Sequence, residues 1–251
     1  MEGWLNCMSN PSEPEPFTRT YRVAMAACRP LAAWGRLSVE GLEALPRSGP
    51  TLLAGNHDSR MDPVIIGRAA ARRRQIRALA KSSLWDIRGL GPVLNGMGQI
   101  PIERAAGDAD ALASGIKALR AGACVGVFPE GTITCGRHLR ARSGIGRLAV
   151  EVPEARLVCV AIEGAPDYAR FPRRPSVRVR FFEPASGPTR PGETPADVAE
   201  RLLAEIRAIA PRVDAGRDPA ATLRKYELKA AAHEEKRRER AAAAARDTEN
   251  V

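Results

Sequence analysis

A chain of 251 residues suits one globular domain with appended tails and is long enough to bury a substantial core. Its 44% hydrophobic and 27% charged residues are those of an ordinary soluble domain, and with aromatics at only 4% the packing falls to Leu, Ile, Val and Ala. The formal charge of +10, carried mainly by arginine, calls for an anionic partner (nucleic acid, an anionic membrane or an acidic substrate), while five cysteines without a C-x-x-C pair indicate neither a disulfide framework nor a zinc site.

Residues 9–16 (SNPSEPEP) read as a leader. Phe17, Tyr21, Ala24, Cys28 and Leu31 then recur at spacings of three and four, which predicts one apolar helical face that Pro30 kinks or ends. Two readings of this stripe stand: a helix packed on the core, or one lying in a membrane interface. No run of 18 apolar residues occurs, and Met1–Asn10 lack the basic start of a secretory signal. The expectation is a peripheral protein on the cytoplasmic face of the cell membrane.

Apolar runs at 51–55, 76–80, 99–102, 123–128, 157–162 and 177–182 predict strands, and patterns at 63–74, 108–120, 144–151 and 195–209 predict helices. Cys124 and Cys159 fall inside two of these runs and read as small core residues. The alternation predicts a single α/β domain with a largely parallel sheet flanked by helices. From about residue 215 an Ala-rich tail carries both charges in near balance. The organisation is a leader and amphipathic helix over 1–35, a folded domain over 36–214, and a charged tail over 215–251.

Three elements follow predicted strands. After TLLAG come Asn56-His57-Asp58-Ser59-Arg60-Met61-Asp62-Pro63. Five helical steps turn about 500°, so His57 and Asp62 meet only if the chain turns between them. A carboxylate on one imidazole nitrogen would then fix the tautomer of a base that titrates near neutrality. On these residues alone the plainer reading is that Asp62 caps a helix, with Pro63 at its first position, and that His57 is incidental. The second element, Gly98-Gln99-Ile100-Pro101-Ile102-Glu103-Arg104, delivers a guanidinium fork suited to phosphate, or an ordinary surface pair of Glu103 and Arg104. The third, Phe128-Pro129-Glu130-Gly131-Thr132, is at minimum a β-turn. Parallel strands would gather all three at the carboxyl edge of the sheet, where such folds bind ligands.

Taken together, NHDSRMD, GQIPIER and FPEGT, in that order, resemble the conserved blocks of the glycerolipid acyltransferases, most closely the 1-acylglycerol-3-phosphate (lysophosphatidic acid) acyltransferases. The resemblance spans about residues 36–210, with LVCVAI at 157–162 as a fourth block. It implies that His57 is the general base, that Asp62 is its partner, and that Arg104 with Glu130, Gly131 and Thr132 binds the acceptor's glycerol phosphate. It implies transfer of an acyl group from acyl-CoA or acyl carrier protein to a lysophospholipid hydroxyl, yielding phosphatidic acid, with no metal or redox cofactor. Ile133 stands where these enzymes often carry arginine, and Cys159 where the fourth block often has proline. Arg137, Arg140 and Arg142 follow close by and stand in for the missing charge, or the acceptor is another lysolipid or an amine-bearing lipid. A site that holds lipid without turnover is a further reading. A nucleic-acid partner rests on net charge alone and lacks any recognition motif.

Overall fold

The computed structural model describes residues 15–102, 109–170, 172, 174–212 and scattered positions between 220 and 235. Every predicted strand forms: β2 (Thr51–Gly55), β3 (Arg77–Lys81), β4 (Ile100–Ile102), β5 (Cys124–Val127), β6 (Arg156–Glu163) and β7 (Arg178–Phe182). A further strand, β1 (Ser38–Glu40), has three exposed residues and therefore no hydrophobic signature; pairing with β7 holds it. The seven strands run in the order β1-β7-β6-β2-β5-β3-β4, parallel throughout except between β6 and β7. The expected largely parallel α/β sheet is thus the observed one.

Both faces of the central strands β2, β5 and β6 are covered, as parallel strands require. Along β6, Leu157, Cys159 and Ala161 point to one face, and Val158, Val160 and Ile162 to the other. The first face packs under α5 (Ala109–Arg120), α6 (Gly144–Glu151) and α7 (Pro195–Ile209). The second packs under α3 (Asp62–Ala70), through Ile65, Ile66 and Ala69. Helix α7 opens on Thr194, whose side chain accepts from the Asp197 N–H, with Pro195 in its first turn. Gly146 lets α6 approach this start closely, since a Cβ there would lie 1.8 Å from the Pro195 carbonyl oxygen.

The expected N-terminal helix is two: α1 (Arg19–Ala27) and α2 (Arg29–Trp34). Pro30 has no N–H to continue the ladder and is accommodated in the first turn of the second helix instead. The stripe packs inward only in part, with Phe17, Ala24, Cys28 and Leu31 half-buried. Tyr21 and Met25 are buried, and the Tyr21 hydroxyl donates to the Gly67 carbonyl of α3 at 3.2 Å. Helix α4 (Leu90–Gly96), between β3 and β4, carries too little apolar periodicity to be seen in the sequence. Most of the charged tail lies outside the described residues.

Candidate active site

The carboxyl ends of β2, β5, β3 and β4 share one edge of the sheet. Beyond β2 the chain leaves the strand at Asn56, whose side chain exchanges two hydrogen bonds with Ile162 at the end of β6 (2.8 and 2.9 Å). It then turns over Ser59 and enters α3 at Asp62. That turn brings His57 Nδ1 within 3.0 Å of Asp62 Oδ2. The same oxygen accepts the N–H groups of Asp58 (2.8 Å) and Ser59 (2.7 Å). Asp62 therefore does not cap its helix, as expected of a plain helix start; it closes the loop upstream of it and orients the imidazole. Its side chain is 1% exposed, against 13% for His57. Burial pushes the Asp62 carboxyl above its ordinary range, opposed by the His57 and Ser59 hydrogen bonds.

The imidazole stacks on Phe128 from the turn after β5, with ring centroids 4.2 Å apart and planes 14° from parallel. The turn closes with the Gly131 N–H donating to the Phe128 carbonyl at 2.9 Å. Gly131 has φ +68°, and a Cβ there would lie 2.4 Å from Arg142 Cδ. The Arg142 side chain thus lies across the glycine, and among the described residues it makes no ion pair. Thr132 is half-buried in the same turn.

Glu130 is placed differently from the expectation. It is 2% exposed, and both its oxygens are engaged within the protein. Oε2 accepts the His57 N–H at 2.8 Å, and Oε1 accepts from Arg207 of α7 at 2.9 and 2.5 Å. Buried and holding three hydrogen bonds from the protein, this carboxylate is turned inward rather than toward a ligand. Burial pushes it above the ordinary carboxylate range, against the pull of Arg207 and the His57 N–H. Arg104 lies outside the described residues; β4, which leads to it, ends on the same sheet edge.

A family model described as Acyltransferase matches residues 36–167, the stretch holding this whole loop cluster. The chain belongs to the acyltransferase family. It is 35% identical over 123 residues to a 1-acyl-sn-glycerol-3-phosphate acyltransferase of Borreliella burgdorferi, a match spanning 47% of this chain and 48% of that one. A Bacillus subtilis protein of the same description is 26% identical over 157 residues, 62% of this chain and 68% of that one. The matched stretch is therefore about half the length of the first relative. The crystal structure of a Thermotoga maritima 1-acyl-sn-glycerophosphate acyltransferase, PlsC, shares the fold at a TM-score of 0.57 and 20% identity, over 76% of this chain and 78% of that one.

Within this acyltransferase frame, sequence reasoning missed Phe128 as the ring under His57, and Asp58 and Arg207 entirely. Arg207 had a signal. It extends the stripe Val198, Leu202, Leu203 and Ile206 along α7, and an arginine on a buried helix face needs buried carboxylates.

Proposed function

We propose that the protein transfers a fatty acyl group from a thioester, of acyl-CoA or acyl carrier protein, to the free hydroxyl of 1-acylglycerol-3-phosphate, giving phosphatidic acid for phospholipid synthesis. The observation that carries this is the His57–Asp62 pair, 3.0 Å apart at the carboxyl edge of the sheet in a chain of the acyltransferase family. With Nδ1 against the Asp62 carboxylate, Nε2 is the nitrogen left to take a proton. His57 removes the acceptor's hydroxyl proton as the oxygen attacks the thioester carbonyl carbon. The tetrahedral adduct expels the thiolate as the C–S bond breaks, and the imidazolium returns its proton to that sulfur. The buried Asp62 stabilises the imidazolium in between. Atoms and charges balance with the thioester as the acyl source and no other reagent.

Arg104 and Arg142 are the guanidinium groups proposed for the acceptor's phosphate. Arg142 is supported by its place across Gly131 and its lack of an ion-pair partner among the described residues, which answers the isoleucine at 133. Arg104→Ala is expected to raise the acceptor's KM more than the donor's, and Arg104→Lys to restore it only in part, because the fork is lost.

The proposed setting is the cytoplasmic face of the cell membrane, with anionic lipid as docking partner. No helix among the described residues is long and apolar enough to cross a membrane. Two adjoining depressions between α1, α2 and α3 are lined by Arg22, Arg29, Arg36, Arg68 and Arg72 over an apolar floor that includes Met25 and Leu42. Among the described residues no carboxylate lines either depression.

The deciding experiment is to incubate the purified protein with labelled acyl-CoA or acyl carrier protein thioester and a panel of lysolipids, and to identify products by mass spectrometry. Phosphatidic acid formed by the wild type and not by His57→Ala is the expected result. Acyl transfer only to another lysolipid would correct the acceptor, and no transfer at all would end the reading.

A further inference from the structure

The guanidinium of Arg207 has five N–H donors, and all five are used. Nη1 and Nη2 grip the Asp58 carboxylate side by side, at 2.7 and 2.9 Å. Nε and Nη2 share Glu130 Oε1, at 2.9 and 2.5 Å. The remaining donor, on Nη1, meets the Ala210 carbonyl at 3.2 Å. The residue is buried, as are both carboxylates. Burial opposes its charge, but Asp58 and Glu130 outweigh that cost and raise its pKa.

Each carboxylate then reaches on to the loop that holds the base. Glu130 Oε2 accepts the His57 N–H. Asp58 Oδ1 accepts the Thr134 hydroxyl, and the Thr134 N–H donates to the His57 carbonyl at 2.9 Å. Asp58 Oδ2 also accepts from the Asn56 side chain at 2.9 Å, the residue that ties the loop to β6. Both backbone polar groups of His57 are thus fixed by groups that one guanidinium orients, while neither Arg207 nor its carboxylates touch the imidazole. Anchoring α7 needs none of this. An apolar side chain of similar volume would fill the space without desolvating three charges. What the charged fork adds is direction, since bidentate pairing sets the planes of the carboxylates as well as their distance.

We propose that Arg207 is a positioning residue for His57. Through Asp58 and Glu130 it holds the base at the height and angle the acceptor hydroxyl requires, so that the last turn of α7 is part of the working site without contacting substrate. This rests on His57 being the base.

The test compares wild type with Arg207→Lys and with the triple variant Asp58→Asn, Glu130→Gln, Arg207→Met. The triple variant keeps an acceptor for the His57 N–H and leaves no buried charge unpaired, so its melting temperature is expected within about 4 °C of wild type. Its kcat is expected to fall on the order of 10- to 100-fold, as for a displaced catalytic group. The acceptor KM should stay within about twofold. The low-field proton resonance expected for His57 Nδ1–H in wild type, from its 3.0 Å contact with Asp62, should broaden in the triple variant. Arg207→Lys keeps the charge but loses the fork, and should show the same kcat loss in a folded protein. A folded triple variant or Arg207→Lys protein with wild-type kcat and an unchanged His57 resonance would overturn the proposal and leave Arg207 as an anchor for α7. Should wild type transfer no acyl group to any lysolipid, the functional reading fails separately, and the His57 resonance still decides the positioning claim.

Discussion

At the scale of the residue, the His57–Asp62 pair is a fully buried carboxylate holding a largely buried imidazole. His57→Ala should lower turnover by roughly 10²–10⁴-fold, with the circular dichroism spectrum unchanged. Asp62→Asn should be comparably severe, because the imidazole loses the charge that stabilises its protonated form. Its stability should move the other way. Burial raises the Asp62 carboxyl in the folded state, so the native protein binds a proton there more tightly than the unfolded chain does. As pH rises from the ordinary carboxylate range through that raised value, ionising Asp62 costs the wild type stability that the asparagine variant keeps. Denaturant titrations across that window should show the difference growing in favour of Asp62→Asn; a difference independent of pH would show that Asp62 does not titrate there. The identity of this pair was legible in the sequence, but its geometry was not. Position 62 follows a loop and precedes a proline, which suits a helix cap as well as a dyad. Only the turn through Ser59 decides that Asp62 Oδ2 points back to Asp58, Ser59 and His57.

Among the elements, those buried on both faces were readable and those held by pairing or by local turns were not. β6 announces itself as LVCVAI because each face of it meets a layer of helices. β1 is three exposed residues on an edge, and α4 is seven residues with three glycine or proline positions, so neither carries a periodic signal. The turn after β5 was recognised, but not the inward direction of Glu130, because that depends on Arg207 lying 77 residues away. The same turn supports a prediction. Gly131→Ala would place a methyl group in the left-handed region and against Arg142, costing about 1–2 kcal/mol in denaturant unfolding. It should also raise the KM for lysophosphatidate, as should Arg142→Ala alone with no loss of stability. An Arg142→Ala protein whose lysophosphatidate KM is unchanged would remove that side chain from the acceptor site.

For the whole molecule, the +10 charge is unevenly spent. Arg74 is buried against backbone carbonyls and Thr51, and Arg73 donates to the carbonyls of Glu43 and Leu45. Arg178 and Arg180 pair with Glu40. Arg72 is exposed and, with Arg29 and Arg68, borders both depressions beside α2. Each basic group near an anionic bilayer contributes about 1 kcal/mol, so the double variant Arg68→Glu, Arg72→Glu should weaken sedimentation with anionic vesicles by on the order of tenfold or more. Transfer to a short-chain, water-soluble acceptor should be unaffected. Equal sedimentation of variant and wild type would move the lipid contact to another face. Removing residues 1–35 is a poorer test, since Tyr21 and Met25 cover α3 and their loss would uncover its core.

Arg207 stands 149 positions beyond Asp58. A ribosome adding about 5–20 residues per second reaches it roughly 7–30 s after the loop bearing His57 has been made. During that interval Asp58 and Glu130 lack the guanidinium that they enclose in the finished fold. On the proposed role of Arg207, a chain ending before α7 would carry both His57 and Asp62 without the group that directs them. Completion of α7 would thus, on that same role, be the step that directs a loop made long before it.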